Sequence, residues 1–185
     1  MPPTFTNVLL HTIFSTRERA PLLAEPIRAE VHAYLGGILR EIRSTPIMIN
    51  GTADHVHLLM TLPSDMAIAE CLRLLKTNSS RWVKEKWPER RSFAWQSGYG
   101  AFSVSESRRA SVIRYIQNQE KHHRKVTFKD EFLTFLRKSC PQACACGYRI
   151  PPASAGSWAG IASGIAGNRG DRRAEFHPRI PFPQS

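Results

Sequence analysis

The sequence predicts an α+β fold: a ferredoxin-like antiparallel sheet in β-α-β-β-α-β order, backed by helices, with extra helices after it. Three observations carry this expectation. Short β-branched and apolar runs of strand length alternate with helical periodicities in that order. Asn50-Gly51, a dipeptide suited to tight reversal, lies between two of the runs and makes them a central hairpin. The chain of 185 residues is long enough for one domain with a core, plus a tail.

Thr4 to Phe14 is apolar and β-branched and reads as the first strand. Pro26 opens a helix whose inner face is Ile27, Val31, Tyr34, Leu35, Ile38 and Ile42. Ser44–Ile49 and His55–Leu62 form the hairpin strands. Ser64 or Asp65 is expected to cap a second helix that runs to about Trp87, where Pro88 stops it. Its buried stripe is Ile68, Cys71, Leu72, Leu75, Ser79 and Trp82. Trp95–Tyr99 and Ala101–Ser105 read as short strands broken by Gly98 and Gly100. A third helix from about Arg108 turns Val112, Ile113 and Ile116 inward, and Thr127 caps a fourth that carries Phe128, Phe132, Phe135 and Leu136.

The net charge of +11 and pI of about 10.1 favour a polyanionic partner, because Lys and Arg that neutralise phosphates release condensed counterions. No apolar run approaches the roughly 20 residues of a membrane span, and no basic amphipathic helix of the interfacial kind stands out. The N-terminus lacks a signal-peptide pattern. Cys71, Cys140, Cys144 and Cys146 have neither a disulfide framework nor paired zinc-site spacing. A cytoplasmic protein, associated with the nucleoid when bound to DNA, is expected. Residues 1–139 form the domain. Residues 140–185, rich in glycine and proline, are expected to lack packed structure and to be an acquired or out-of-frame extension.

The chemistry centres on His55-Val56-His57. Side chains two apart on a strand share a face, so both imidazoles project together and could grip a divalent metal. Alone, such a pair is more often two surface histidines. Tyr115 and Gln119 are four apart and would share one helix face. A metal and a tyrosine on a basic protein suggest strand cleavage of nucleic acid.

Asp54-His-Val-His-Leu-Leu-Met60 resembles the HUH motif, histidine–hydrophobe–histidine on a central strand. Leu75-Lys-Thr-Asn-Ser-Ser-Arg81, Trp95-Gln-Ser-Gly-Tyr-Gly100 and Arg114-Tyr-Ile-Gln-Asn-Gln119 resemble, in order, the following helix, the aromatic–glycine strand entry and the catalytic helix of single-tyrosine HUH transposases. These include the REP-associated tyrosine transposases. His11 and Thr16-Arg17 fit that family's first strand and its exit, so the resemblance covers roughly residues 4–137. It implies that His55, His57 and Gln119 bind magnesium or manganese and that Tyr115 is the nucleophile. The product would be a 5′-phosphotyrosyl link on single-stranded, hairpin-containing DNA. It further implies a homodimer, with assembly in cis or in trans left open. Two alternatives stand beside it: an HUH replication initiator or relaxase, and a catalytically silent nucleic-acid-binding protein on the same scaffold.

Other polar residues have bland readings as well. Lys76 and Arg81 are candidate DNA contacts or an ordinary charged helix face. Asp54 either orients an imidazole or serves a turn. His122-His123-Arg124-Lys125 reads as a solvated helix end or a phosphate contact rather than a ligand set. Trp82 reads as core rather than a base-stacking platform.

Overall fold

A computed structural model describes residues 5–139. The expected 140–185 tail lies outside these residues. The order is β1 (Leu9–Ser15), α1 (Ile27–Glu41), β2 (Pro46–Gly51), β3 (His55–Thr61), α2 (Ile68–Lys86), β4 (Gly100–Ser103), α3 (Arg109–Gln117), α4 (Gln119–His123) and α5 (Phe128–Ser139). The strands form one antiparallel sheet in the order β2-β3-β1-β4. This is the ferredoxin-like arrangement, with β1 and β3 at its centre. Among the described residues, no helix is long and apolar enough to cross a membrane.

Pairing register decides which side chains meet. His57 lies opposite Ile13, His55 opposite Ser15 and His11 opposite Leu59, so all six project from one face. Phe14, Val56, Leu58 and Met60 fill the other, where α1 and α2 pack. There Lys76 of α2 reaches over the Phe14 ring, and Ile49 of β2 lies against Gly36 of α1. Leu9 and Leu59 on the histidine face instead pack against Ile116 of α3. The sheet therefore separates an apolar layer from the layer that carries the polar site.

The structure departs from sequence expectation at four places. β1 starts at Leu9 rather than Thr4, because its neighbour β3 ends at Thr61, directly opposite Leu9. α2 begins at Ile68 behind Ala67, with no side-chain cap. Asp65 instead turns its carboxylate to Arg43. Trp95–Tyr99 is not a strand but a single bridge between Trp95 and Thr16. The Lys76 ammonium draws the Gln96, Ser97 and Gly98 carbonyls toward itself at 2.9, 3.2 and 2.7 Å, which turns them away from ladder pairing. Finally, the helix expected to hold both Tyr115 and Gln119 breaks at Asn118 into α3 and α4.

Three termini behave as expected. Pro88 follows the end of α2 and begins a short 3-10 turn. The Thr127 hydroxyl accepts the Asp130 N–H at 3.2 Å and so caps α5. At the β2–β3 reversal, a Cβ on Gly51 would collide with the His55 carbonyl oxygen and lie 2.9 Å from the Val56 Cα.

Candidate active site

β3 delivers His55 and His57 to the sheet centre, both fully buried. Each ring is pinned through Nδ1. His55 Nδ1 lies 2.7 Å from Asp54 Oδ1 and 2.8 Å from Thr52 Oγ1. His57 Nδ1 lies 2.9 Å from His11 Nε2. Fixing Nδ1 in this way leaves Nε2 aimed into the space above the sheet, the usual preparation of a ligating imidazole. Asp54 therefore orients an imidazole, and Arg19 steadies it with a 3.0 Å bond from Nε. Arg19 and Glu18 hold positive φ values of 57° and 54°, an uncommon backbone for non-glycine residues, which directs the guanidinium to Asp54.

α3, α4 and α5 supply the roof. Asn50 of β2 donates to the Ile116 and Gln117 carbonyls at 2.9 and 3.1 Å, satisfying the end of α3 and fixing it to the sheet. Tyr115, one residue earlier, brings its ring centroid to 6.0 Å from that of His57. Its hydroxyl donates to Glu131 Oε1 of α5. Gln119, at the start of α4, is fully buried and donates from Nε2 to the same oxygen at 3.2 Å. Tyr115 and Gln119 thus converge although they sit on two helices. His123, four residues further, donates from Nδ1 to the Val126 carbonyl at 2.9 Å and turns Nε2 inward, 3.2 Å from Glu131 Oε2. All these groups belong to one chain.

Burial sets the protonation. It pushes His11 and His123 down to about 4, the latter helped by His55. Burial also holds His57 well below the ordinary histidine value, with its imidazole neighbours adding to the effect. Neutral imidazoles with unpaired Nε2 lone pairs are the ligand form. Burial would raise Asp54, but hydrogen bonds from His55, Thr52 and Arg19 outweigh it and hold the carboxyl well below the usual carboxylate range. Glu131 moves the other way: burial, then the charge of Asp54, pushes it up to about 8.

This donor set fits a divalent cation. His55 Nε2, His57 Nε2, Gln119 Oε1, His123 Nε2 and Glu131 Oε2 are all buried without a hydrogen-bond partner. Such orphaned atoms are costly singly, and the four from His55, His57, His123 and Glu131 that cluster together call for a common occupant. One ligand atom from each of His55, His57, His123 and Glu131 can be chosen so that all lie within 4.8 Å of one another. A cation there would also remove the penalty that burial places on the Glu131 charge.

Beside Tyr115 opens a shallow concavity of about 720 Å³, lined by Arg114, Lys121, Arg124 and Lys125 with Asn118 and His122. Four cations and no acid make it attractive to a polyanion. Arg81 projects from α2 into solvent, with Glu85 as a loose partner at 4.0 Å. Lys76 departs from its expected outward role, since all three of its donors go to the carbonyls of residues 96–98. Trp82 is half-buried and stacks on Tyr34 at 4.3 Å rather than entering the core.

Sequence reasoning missed Glu131, Asn50 and the ligand-like setting of His123. The pair His122-His123 was visible, but its chemistry depends on a turn at Val126 that spacing does not reveal. Glu131 sits in Lys-Asp-Glu at the start of a helix, where an acid ordinarily serves the helix dipole.

Comparison with known proteins identifies the family and supports the fold. Residues 4–119 match the family described as IS200-like transposases. The ISDra2 transposase TnpA of Deinococcus radiodurans is 30% identical over 118 residues, which is 59% of this chain and 81% of that protein. The crystal structure of a candidate transposase from Deinococcus radiodurans superposes with a TM-score of 0.53 at 24% identity, covering 63% of this chain and 93% of the other. A REP-associated tyrosine transposase bound to a REP hairpin gives 0.52 at 14% identity, covering 68% and 74%. Both likenesses support the fold. With a family match across most of the described domain, the chain belongs to the IS200-like transposases.

Proposed function

We propose that this transposase nicks and rejoins single-stranded DNA at hairpin-containing sequences through a 5′-phosphotyrosyl intermediate on Tyr115. The observation that carries the reading is the convergence, within one chain, of the Tyr115 hydroxyl and the orphaned polar atoms of His55, His57 and Gln119. His55, His57 and Gln119 would hold a divalent cation, magnesium or manganese, which when bound polarises the scissile phosphate and offsets charge on its oxygens. Imidazole donors favour manganese over magnesium.

The remaining steps belong to the chain's own residues. The Tyr115 oxygen attacks phosphorus, a tyrosyl–phosphorus bond forms, and the bond to the 3′ oxygen breaks with a proton passing to the leaving strand. The link retains the phosphodiester energy, so a 3′-hydroxyl can reverse the reaction and join ends without a nucleotide cofactor. Arg114, Lys121, Arg124 and Lys125 draw the DNA backbone toward Tyr115, and Arg81 adds a further phosphate contact from α2. Lys76 contributes by shaping the Gln96–Gly98 loop. The protein would act in the cytoplasm. A homodimer is part of the same reading, each protomer carrying a whole site, and sedimentation of the DNA complex measures it.

Incubation of the protein with labelled hairpin DNA and manganese tests the reaction. A denaturant-stable adduct is expected, and Tyr115→Phe should abolish it by at least about 10³-fold while leaving DNA affinity within a factor of a few. Binding without an adduct in the unaltered protein would indicate a silent DNA-binding scaffold instead.

A further inference from the structure

We infer that Glu131 and His123 are ligands of the cation at the His55–His57 site, so that α4 and α5 complete the site within the same chain. The inference rests on the cation reading above and goes beyond it. It assigns two further donors and gives α5 a role in metal binding.

The geometry around Glu131 Oε2 carries the argument. This oxygen is buried, has no hydrogen-bond partner, and lies 3.2 Å from His123 Nε2 and 3.5 Å from His57 Nε2. Backbone contact fixes the His123 tautomer: Nδ1 must carry its hydrogen to donate to the Val126 carbonyl. Nε2 of the neutral ring then presents a lone pair to a carboxylate oxygen. Two lone pairs held face to face in a buried site repel unless something positive lies between them. Two donors each about 2.1 Å from one octahedral cation, at a right angle, stand about 3.0 Å apart. The observed separations of 3.2 and 3.5 Å are close to that spacing, and His55 Nε2 is a further orphan in the same cluster.

The other Glu131 oxygen gives the assignment a consequence. Oε1 accepts from the Tyr115 hydroxyl and from Gln119 Nε2. One carboxylate therefore spans from the cation position to the nucleophile, with Oε2 on one side and the phenol on the other. Glu131 acts on Tyr115 as a positioning residue, and the cation anchors Glu131. Filling the site should also tie α5 to β3, since Glu131 is the α5 group that enters the cluster. A single shared proton between Glu131 and His123 is the competing account, and it requires no metal.

Manganese titration separates them. The dissociation constant for Mn²⁺ is measured by calorimetry on the full chain and on Glu131→Gln, His123→Gln and His57→Ala, with amide exchange of residues 128–139 followed in parallel. Ligation predicts at least about ten-fold weaker binding for each of the Glu131 and His123 variants, and a larger loss for His57→Ala. It also predicts slower exchange across α5 when Mn²⁺ is added to the unaltered protein. If both variants bind Mn²⁺ within two- to three-fold of the unaltered chain while His57→Ala does not bind it, the inference is overturned and the cation reading survives. If His57→Ala also retains full affinity, the cation lies elsewhere and both fail. Should Glu131→Gln not fold, His123→Gln and the exchange measurement on the unaltered chain decide by the same criteria.

Discussion

Asp54 takes contacts from three side chains, and only His55 among them belongs to the buried histidine–glutamate cluster. Its function is to hold one imidazole in one orientation. Asp54→Asn would keep the shape but lose the charge that favours Nδ1–H, and it should weaken manganese binding by about 10- to 100-fold with little change in fold. Calorimetry measures the affinity, and near-ultraviolet circular dichroism checks the fold. Lys76 shows the same logic at another position. Burial pushes its ammonium down to about 8, three carbonyls occupy its donors, and the Tyr99 ring lies 5.4 Å away. Lys76→Met leaves those carbonyls without a donor and should destabilise the chain by roughly 1–3 kcal/mol in urea unfolding. A loss of DNA affinity with unchanged stability would contradict that role.

At the scale of elements, the reversal between β2 and β3 sets the position of both histidines. Gly51→Ala would drive a methyl group into the His55 carbonyl and the Val56 backbone. The variant should lose about 1–3 kcal/mol of stability and bind manganese less tightly, because the strand end that shifts is the one that carries His55. The hairpin was legible in the sequence because alternation is a local property: His55, His57 and the intervening Val56 declare their faces by parity alone. Tyr115 and Gln119 were legible only as a spacing. The break at Asn118 was hidden, since it arises where Asn50, on another strand, takes over the terminal carbonyls of α3. Trp95–Tyr99 looked like a strand because its residues suit one. It is held out of the ladder by a lysine 20 residues earlier in sequence. Glu131 was not legible at all, as its partners come from α3, α4 and β3, and its local sequence is that of an ordinary helix start. Local pattern exposes what one element does, and contacts between elements decide the rest.

For the molecule as a whole, burial of histidines links stability to pH. His11 is held at about 4 by burial, and His32 at about 4 by burial and then by Arg28, against an ordinary value of 6.5. Between those values the unfolded chain binds protons that the folded chain refuses. Stability is therefore full above about pH 6.5 and is lost as pH falls toward 4. His57 and His123 shift in the same direction. Glu131 opposes them: its stabilising contribution is full below its ordinary 4.5 and is lost as pH rises through about 8. The lowered histidines together outweigh Glu131, so the metal-free chain should lose stability on the acid side. At pH 5 His11 and His32 each cost roughly 2 kcal/mol relative to pH 7. Urea midpoints at the two pH values measure the loss, and His32→Gln should reduce it. A midpoint unchanged between pH 7 and pH 5 would rule out neutral, buried imidazoles.

The charge distribution has a matching global consequence. Neutralising Lys121, Arg124 and Lys125 together should weaken binding to single-stranded DNA and reduce the dependence of affinity on salt, as expected when about three phosphate contacts disappear. The most direct measurement of the account as a whole is peptide mass mapping of the chain after reaction with hairpin DNA and manganese. A nucleotide mass increment is expected on the peptide containing Tyr115 and should vanish in His57→Ala. An increment on any other residue, or one that persists without His57, would contradict the pairing of that tyrosine with a histidine-held cation.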